Sequence, residues 1–189
     1  MKKILALALL TSVSFAMSLP FSVIPEAGFV IGKYTTDESG VDEKWRASGF
    51  ELGAKASYNI PNTKFYIEPG LFYTYVPGKF EYKLENKTKT IEGGLHFFKI
   101  PINAYYEVYN SEPFSIKLGA GPFLAYRLDG DDKEWEDWDF GLSLGASFTY
   151  LDQFVVDARF DLGLKDIAKG SGESKTRAFV FDVGYKFNF

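Results

Sequence analysis

The chain carries few residues that could act as a nucleophile, a base or a soft metal ligand. It has no cysteine and one histidine, His96, among its 189 residues. The lack of cysteine excludes thiolate zinc sites, iron–sulfur clusters and cysteine nucleophiles. A serine nucleophile needs an adjacent base, whereas Ser143 and Ser147 share their face of the strand with glycines and indicate the filling of a narrow space. We therefore predict no catalytic residue, no enzymatic activity and no cofactor.

Acidic side chains cluster in residues 129–139, together with two tryptophans. Clustered carboxylates suit hard cations such as Ca²⁺, but their spacing here is not that of a calcium-binding loop. A solvated loop is the alternative, so no firm metal site is predicted. The candidate Ca²⁺ ligands are Asp129, Asp131, Asp132 and Glu134.

A third set of chemically active side chains recurs at every second position within segments of the chain. Seven acids balance seven bases in this set, and glycines share their parity. We predict that they form a charge network on one face of a sheet. Its members are Glu26, Glu51, Lys55, Glu68, Lys99, Glu107, Lys117, Arg127, Asp157, Arg159, Asp161, Lys165, Asp182 and Lys186.

The elements that must position these residues are β-strands, because apolar side chains alternate with polar or small ones almost throughout. In the last strand Phe181, Val183 and Tyr185 alternate with Asp182, Gly184 and Lys186, for example. This period predicts eight strands. Their approximate ranges are 22–34, 47–60, 65–83, 94–109, 114–128, 140–150, 154–165 and 178–189.

The predicted connections alternate in length. Short turns are expected at 61–64, 110–113 and 151–153, and longer polar loops at 35–46, 84–92, 129–139 and 166–176. Such sorting is typical of an up-and-down meander with two unlike ends. We therefore predict an all-β, eight-stranded antiparallel up-and-down barrel.

The volume of the barrel interior decides whether the apolar face points inward or outward. Aromatic residues make up 18% of the chain and apolar residues 46%, more than the narrow interior of an eight-stranded barrel can hold. The apolar face must then point outward into lipid, where closure satisfies the backbone. Aromatic residues near both strand ends fit two interface belts. The charged face lines the lumen, as a salt-bridged plug or, alternatively, as an ion-conducting path.

Several prolines fall inside predicted strands, where a closed barrel has no free edge for them. We expect a bulge or a local break in pairing at some of them. Among them are Pro25, Pro69, Pro101 and Pro122.

The first residues resemble an export signal. Lys2 and Lys3 precede an apolar stretch that is too short to span a membrane, and small residues allow cleavage after Ala16 or Ser18. We predict a signal peptide over residues 1–18 and one barrel domain over 19–189. The net charge of −4 argues against a nucleic-acid partner.

Several segments resemble the PorT-like, porin-family outer-membrane β-barrel domain. They are Ile67-Glu68-Pro69-Gly70-Leu71, Lys99-Ile100-Pro101-Ile102 and Lys117-Leu118-Gly119-Ala120-Gly121-Pro122. The ending with Tyr185, Phe187 and Phe189 resembles the C-terminal signal that barrel-assembly machinery recognises. This resemblance implies a Gram-negative outer membrane, contact with lipid and lipopolysaccharide, termini in the periplasm and loops outside the cell.

Similar small barrels include enzymes that act on lipid A. A lipid A deacylase of that kind has a serine two residues after its histidine, whereas Phe98 stands at that spacing from His96. We therefore expect a monomeric structural, adhesive or envelope-integrity protein. An extracellular ligand would bind at loops 35–46 and 129–139. The acidic loop 129–139 could alternatively form a divalent-cation bridge to lipopolysaccharide phosphates. The alternatives are a narrow pore and a periplasmic lipocalin-like carrier, whose apolar face would point inward.

Overall fold

The computed structural model describes residues 21–38, 41–84, 87–128, 137–165 and 173–189. The predicted signal peptide and the candidate Ca²⁺ ligands lie outside these ranges. Within them the structure has eight long strands, and a two-residue ninth strand continues the eighth after Lys186. The strands are β1 (Phe21–Glu38), β2 (Val41–Asn59), β3 (Phe65–Leu84), β4 (Lys87–Ser111), β5 (Phe114–Arg127), β6 (Trp138–Tyr150), β7 (Phe154–Gly163), β8 (Glu173–Tyr185) and β9 (Phe187–Asn188).

The strands form one closed antiparallel barrel. Each strand pairs with its neighbours in sequence, and β1 pairs with both β2 and β8, so the sheet closes on itself. This confirms the predicted eight-stranded up-and-down barrel. Among the described residues there is no α-helix long and apolar enough to cross a membrane.

The two ends of the barrel differ, as predicted. Short connections at residues 60–64, 112–113 and 151–153 define what we call the turn end. At the opposite end, the loop end, each of the four predicted loops contains residues that belong to strands. Residues 35–38 and 41–46 extend β1 and β2, residues 87–92 extend β4, residues 138–139 begin β6 and residues 173–176 begin β8. Polar segments can continue a hairpin beyond the membrane, because pairing there does not require apolar side chains on the outer face.

Each of the four prolines named above lies in a gap of one of its two ladders. Pairing of β1 with β8 stops at Glu26 and resumes at Val23, for example, so that Pro25 lies in the gap. Proline has no backbone N–H to donate on that side, and it keeps its pairing on the other side. The predicted local break is confirmed, and the register shift within the described ladders lies between Glu107 and Tyr109 rather than at a proline. The other gaps are at Pro69, Pro101 and Pro122.

The two faces of the wall have opposite chemistry. Along β8 the exposed fractions of Phe181, Asp182 and Val183 are 50%, 1% and 62%, so charged and apolar residues alternate between the lumen and the outside. This arrangement is the reverse of a lipocalin-like carrier, and that alternative is wrong for the described part of the chain. The outer apolar face instead matches a hydrocarbon environment.

Candidate functional site: the charged lumen

Charged residues fill the lumen at the middle of the barrel. Ten of the predicted network residues are at most 7% exposed and belong to two connected sets of ion pairs. We name these sets by the end of the barrel that they face. The turn-side group is Glu26, Lys55, Glu68, Lys117 and Asp157, and the loop-side group is Glu51, Lys99, Arg159, Asp161 and Asp182.

The turn-side group is centred on the ammonium of Lys55. Its Nζ lies 3.0 Å from Glu26 Oε1 and 3.2 Å from Glu68 Oε2, and it donates a hydrogen bond to Asp157 Oδ2. Lys117 donates to the other oxygen of Glu68, Oε1, and Ser57 Oγ donates to the same oxygen at 2.7 Å. One lysine therefore neutralises carboxylates from three strands.

The loop-side group is a chain of contacts. Arg159 Nη2 donates to Glu51 and lies 3.1 Å from Asp182 Oδ2. Lys99 Nζ lies 2.7 Å from both Glu51 Oε2 and Asp161 Oδ2. Hydroxyl groups of nearby strands complete the set, since Thr74 donates to Glu51 at 2.7 Å and Ser143 donates to Asp161 at 2.5 Å. Buried carboxylates with this many donors are stabilised in their charged form.

Several of these pairs join opposite walls of the barrel. The bonds from Lys55 to Asp157 and from Arg159 to Glu51 connect β2 with β7, although β1 and β8 stand between these strands. Lys99 on β4 reaches Asp161 on β7 across two further strands. Side chains that meet in the middle of the lumen occupy the space through which an ion would pass.

Tyr105 adds an aromatic ring to this filling. It is 1% exposed, and the ammonium groups of Lys55 and Lys117 lie 5.8 and 5.6 Å from its ring centroid, within the range of a cation–π contact. Its ring lies over Gly119, where an added Cβ would come within 2.4 Å of the Tyr105 Cδ1 atom. A glycine on β5 therefore makes the space that a large ring on β4 needs inside a narrow barrel.

Sequence reasoning missed the uncharged residues of this site. Tyr105 and Phe72 were assigned no role, although both lie on the same face of their strands as the charged residues, as does Thr74. The alternation of inward and outward positions along each strand could have identified them. The volume argument concealed them, because it left no room in the lumen for large rings.

The other predicted network residues lie towards the barrel ends. Glu107 Oε1 accepts a hydrogen bond of 3.4 Å from Tyr66, and Arg127 Nη2 lies 3.7 Å from Asp137 Oδ1 at the loop end. Lys165 follows the end of β7. At the turn end, Lys186 Nζ donates to Asp152 Oδ1 at 2.5 Å. These residues are therefore separate from the two central groups in the described ion pairs.

The predicted assembly residues lie at the turn end, where the C-terminal strand closes the barrel. The Tyr185 ring contacts Phe154 at a centroid distance of 5.5 Å and Phe187 at 4.9 Å. Phe189 stacks on Phe21 at 5.7 Å. Their contacts join the end of the chain to β1 and β7.

His96 lies on the outer face near the loop end. Its Nδ1 forms a hydrogen bond with the Tyr73 hydroxyl, and its ring centroid is 4.6 Å from that of Tyr75. Phe98, two residues further on, is 44% exposed on the same face. No group of three or more His, Cys, Asp or Glu residues within the described ranges has the geometry to hold a metal ion.

Aromatic side chains on the outer face lie near both ends of the wall. At the turn end, Phe65 and Phe154 are 49% and 51% exposed, and at the loop end Trp138 is 49% exposed and contacts Tyr126 at 4.6 Å. Such rings are typical of the two lipid–water interfaces. A closed barrel with an apolar band, aromatic ends and a polar lumen is a transmembrane β-barrel of the outer-membrane type.

The sequence comparison identifies the family. Residues 14–169 match the outer membrane protein beta-barrel domain, and the chain belongs to that family. No curated protein matches the chain.

Solved structures of other outer-membrane barrels share the fold. Ail, the attachment invasion locus protein of Yersinia pestis, solved with the heparin analogue sucrose octasulfate, is 18% identical with a TM-score of 0.50; the match covers 89% of this chain and 99% of Ail. Neisserial surface protein A is 20% identical with a TM-score of 0.52 over 88% and 97% of the two chains. The outer membrane enzyme PagL is 17% identical with a TM-score of 0.54 over 89% and 99%. At these identities the likeness shows the fold alone, which enzymes and non-enzymes share.

Proposed function

We propose that this protein is a sealed, non-enzymatic outer-membrane barrel that acts through its surface loops, in adhesion or in envelope integrity. The observation that supports it most strongly is the set of ion pairs that joins opposite walls of the lumen. Lys55, Arg159 and Tyr105 are at most 5% exposed. The two cations meet carboxylates across the lumen, and the Tyr105 ring packs over Gly119 of the neighbouring strand. Such packing closes the middle of the lumen and leaves the wall and the loop end available for function.

The surface role also draws on the relatives. Two of them are named as a surface protein and as an attachment protein, and a barrel of this size offers partners little except its loop end. On this proposal a signal peptide over residues 1–18 is removed, the termini are periplasmic, the protein is monomeric, and an extracellular ligand binds at the loop-end segments 35–46 and 129–139. Lipid, lipopolysaccharide and the barrel-assembly machinery are its other partners, and the PorT-like resemblance stays a prediction.

The absence of enzymatic activity is proposed from the surroundings of His96. The nitrogen Nδ1 is engaged by Tyr73, and the outward residue two positions on is Phe98 rather than a serine. A nucleophile next to this base would have to come from another strand. Incubation of the purified protein with lipid A, followed by mass spectrometry, should show no loss or gain of acyl chains.

Planar bilayers test the sealed lumen. The wild-type protein should give no current steps above those of a protein-free bilayer. A variant with Tyr105→Ala and Arg159→Ala, which shortens two side chains in the middle of the lumen, should give steps at the same protein concentration. Steady conductance of the wild type would favour the narrow pore instead.

Protease treatment of intact cells tests the orientation. Cleavage within residues 129–139 before lysis, with the turn-end segment 60–64 cut only after the outer membrane is opened, is the expected result. The reverse order would place the loop end in the periplasm and contradict the surface role.

A further inference from the structure

A cavity of about 80 Å³ lies in the lumen between the loop-side group and the loop end. This is roughly the volume of three water molecules in the liquid. Its walls are mostly apolar, with Val30, Val76, Phe123 and Ala125 all at most 8% exposed. Lys99 and Asp161 line it as well, so the charged network closes it towards the turn end. The cavity is a pocket with a floor rather than a passage.

Thr74, Thr176, Arg177 and Asp139 also line this cavity, and Asp139 supplies a carboxylate. This residue is 7% exposed, and its Oδ2 accepts a hydrogen bond of 2.6 Å from Thr176 Oγ1. Its other oxygen, Oδ1, is buried and has no hydrogen-bond partner. A buried carboxylate oxygen without a donor is costly in free energy, so the pocket offers one strong unfilled acceptor.

Gly163 allows this carboxylate to be held in place. Asp139 and Thr176 belong to β6 and β8, and β7 runs between them. A Cβ at Gly163 would lie 2.0 Å from Thr176 Oγ1 and 3.1 Å from Asp139 Oδ2. The missing side chain on β7 therefore opens the space in which the hydroxyl reaches the carboxylate.

The charge balance of the lumen favours a cation in this pocket. The two central groups hold six carboxylates against four cationic side chains, Asp139 adds one carboxylate, and Arg177 in the lining adds one cation. Lys99 Nζ is already 2.7 Å from two carboxylates. Lys165 acts electrostatically on Asp139 but leaves Oδ1 without a donor. An ammonium group that enters the pocket would be attracted at short range by the Asp139 carboxylate.

We propose that this pocket binds a small aliphatic ammonium group, with its N–H donating to Asp139 Oδ1 and its alkyl chain against Val76, Phe123 and Ala125. The volume limits the ligand to a short chain or to the end of a longer one. The apolar walls exclude a fully hydrated metal ion, and the carboxylate excludes an anion.

Isothermal titration of the folded protein in detergent micelles with n-propylammonium tests this site. We expect saturable binding with a dissociation constant on the order of 1 mM for so small a ligand. The uncharged 1-propanol should bind at least about tenfold more weakly, since it lacks the charge. Binding of 1-propanol equal to that of n-propylammonium, or no saturable binding of n-propylammonium, would overturn the proposal.

Two variants locate the site. Asp139→Asn should weaken n-propylammonium binding at least about tenfold, because it keeps the shape but removes the charge. Ala125→Leu should weaken it comparably by filling the cavity while Asp139 stays intact. Asp152→Asn, which removes a carboxylate at the turn end, is the matched control and should leave binding unchanged. Wild-type affinity in both lumen variants would place the ammonium elsewhere and reject the site.

Discussion

The two charged groups of the lumen contain the same kinds of charge but connect them differently. Each has three carboxylates and two cationic side chains. In the turn-side group one residue, Lys55, contacts all three carboxylates. In the loop-side group each contact leads to the next, in the order Asp182, Arg159, Glu51, Lys99 and Asp161.

This difference determines how each group responds to the loss of one residue. A group that depends on a central cation loses several pairs at once, whereas a chain loses the pairs on either side of the missing link. Since an uncompensated buried charge costs more than a buried pair gains, the number of carboxylates left without a cation should rank the variants. Comparison of single substitutions in the two groups measures this effect directly.

Lys55→Met should cause the largest loss of stability. Among the ion pairs of the described residues, Glu26 and Asp157 contact Lys55 alone, so both carboxylates lose their cation. We expect a decrease of about 5 kcal/mol in the free energy of unfolding, the upper end of the range for a broken buried pair. Urea unfolding of the purified protein in detergent measures this change.

The matched control removes the two carboxylates together with the lysine. Addition of Glu26→Gln and Asp157→Asn to Lys55→Met should recover more than half of the lost stability, because neutral amides replace the unpaired charges. A triple variant as unstable as Lys55→Met would mean that lost packing, and not lost charge balance, dominates.

Arg159→Met should have a smaller effect in the loop-side group. Within the described ion pairs, Asp182 loses its cation, whereas Glu51 keeps Lys99 at 2.7 Å. The guanidinium also lies 4.9 Å from the centroid of the Phe72 ring, a contact that methionine replaces in part. We expect a decrease of about 3 kcal/mol in the same unfolding measurement.

Asp182→Asn provides the control for this prediction. Combined with Arg159→Met, it should restore stability relative to Arg159→Met alone, because no unpaired carboxylate remains on β8. If Arg159→Met proved more destabilising than Lys55→Met, the number of carboxylates left without a cation would not rank the variants.

Much of the barrel follows from the sequence because lipid imposes a strict pattern on the outer face. Alternation between Phe181, Asp182 and Val183 fixes both the strand and its inner face, and the same pattern predicted which charged residues share a side. Where lipid no longer constrains the outer face, the pattern fails. Residues 35–38, 41–46 and 87–92 were predicted as parts of loops for that reason, although their backbones pair.

The connections within the lumen could not be predicted in the same way. Parity places Lys55 and Asp157 on the inner face, but it does not show that strands β2 and β7 lie opposite each other at the same height. That height depends on how the strands are staggered around the barrel. Asp139 illustrates the limit further, because its contact with Thr176 depends on Gly163 of the strand between them.

Lys117→Met should have the smallest effect of the three lysine and arginine substitutions. Glu68 loses the hydrogen bond from Lys117 but keeps Lys55 at 3.2 Å and the Ser57 hydroxyl at 2.7 Å. No carboxylate of the turn-side group is left without a cation, so we expect a decrease of only about 1.5 kcal/mol, as for one hydrogen bond to a charged group. Urea unfolding beside Lys55→Met makes the comparison within one group. The two variants each remove one buried ammonium group and differ in the number of carboxylates that this group neutralised. Equal losses of stability would therefore show that the central position of Lys55 has no energetic consequence.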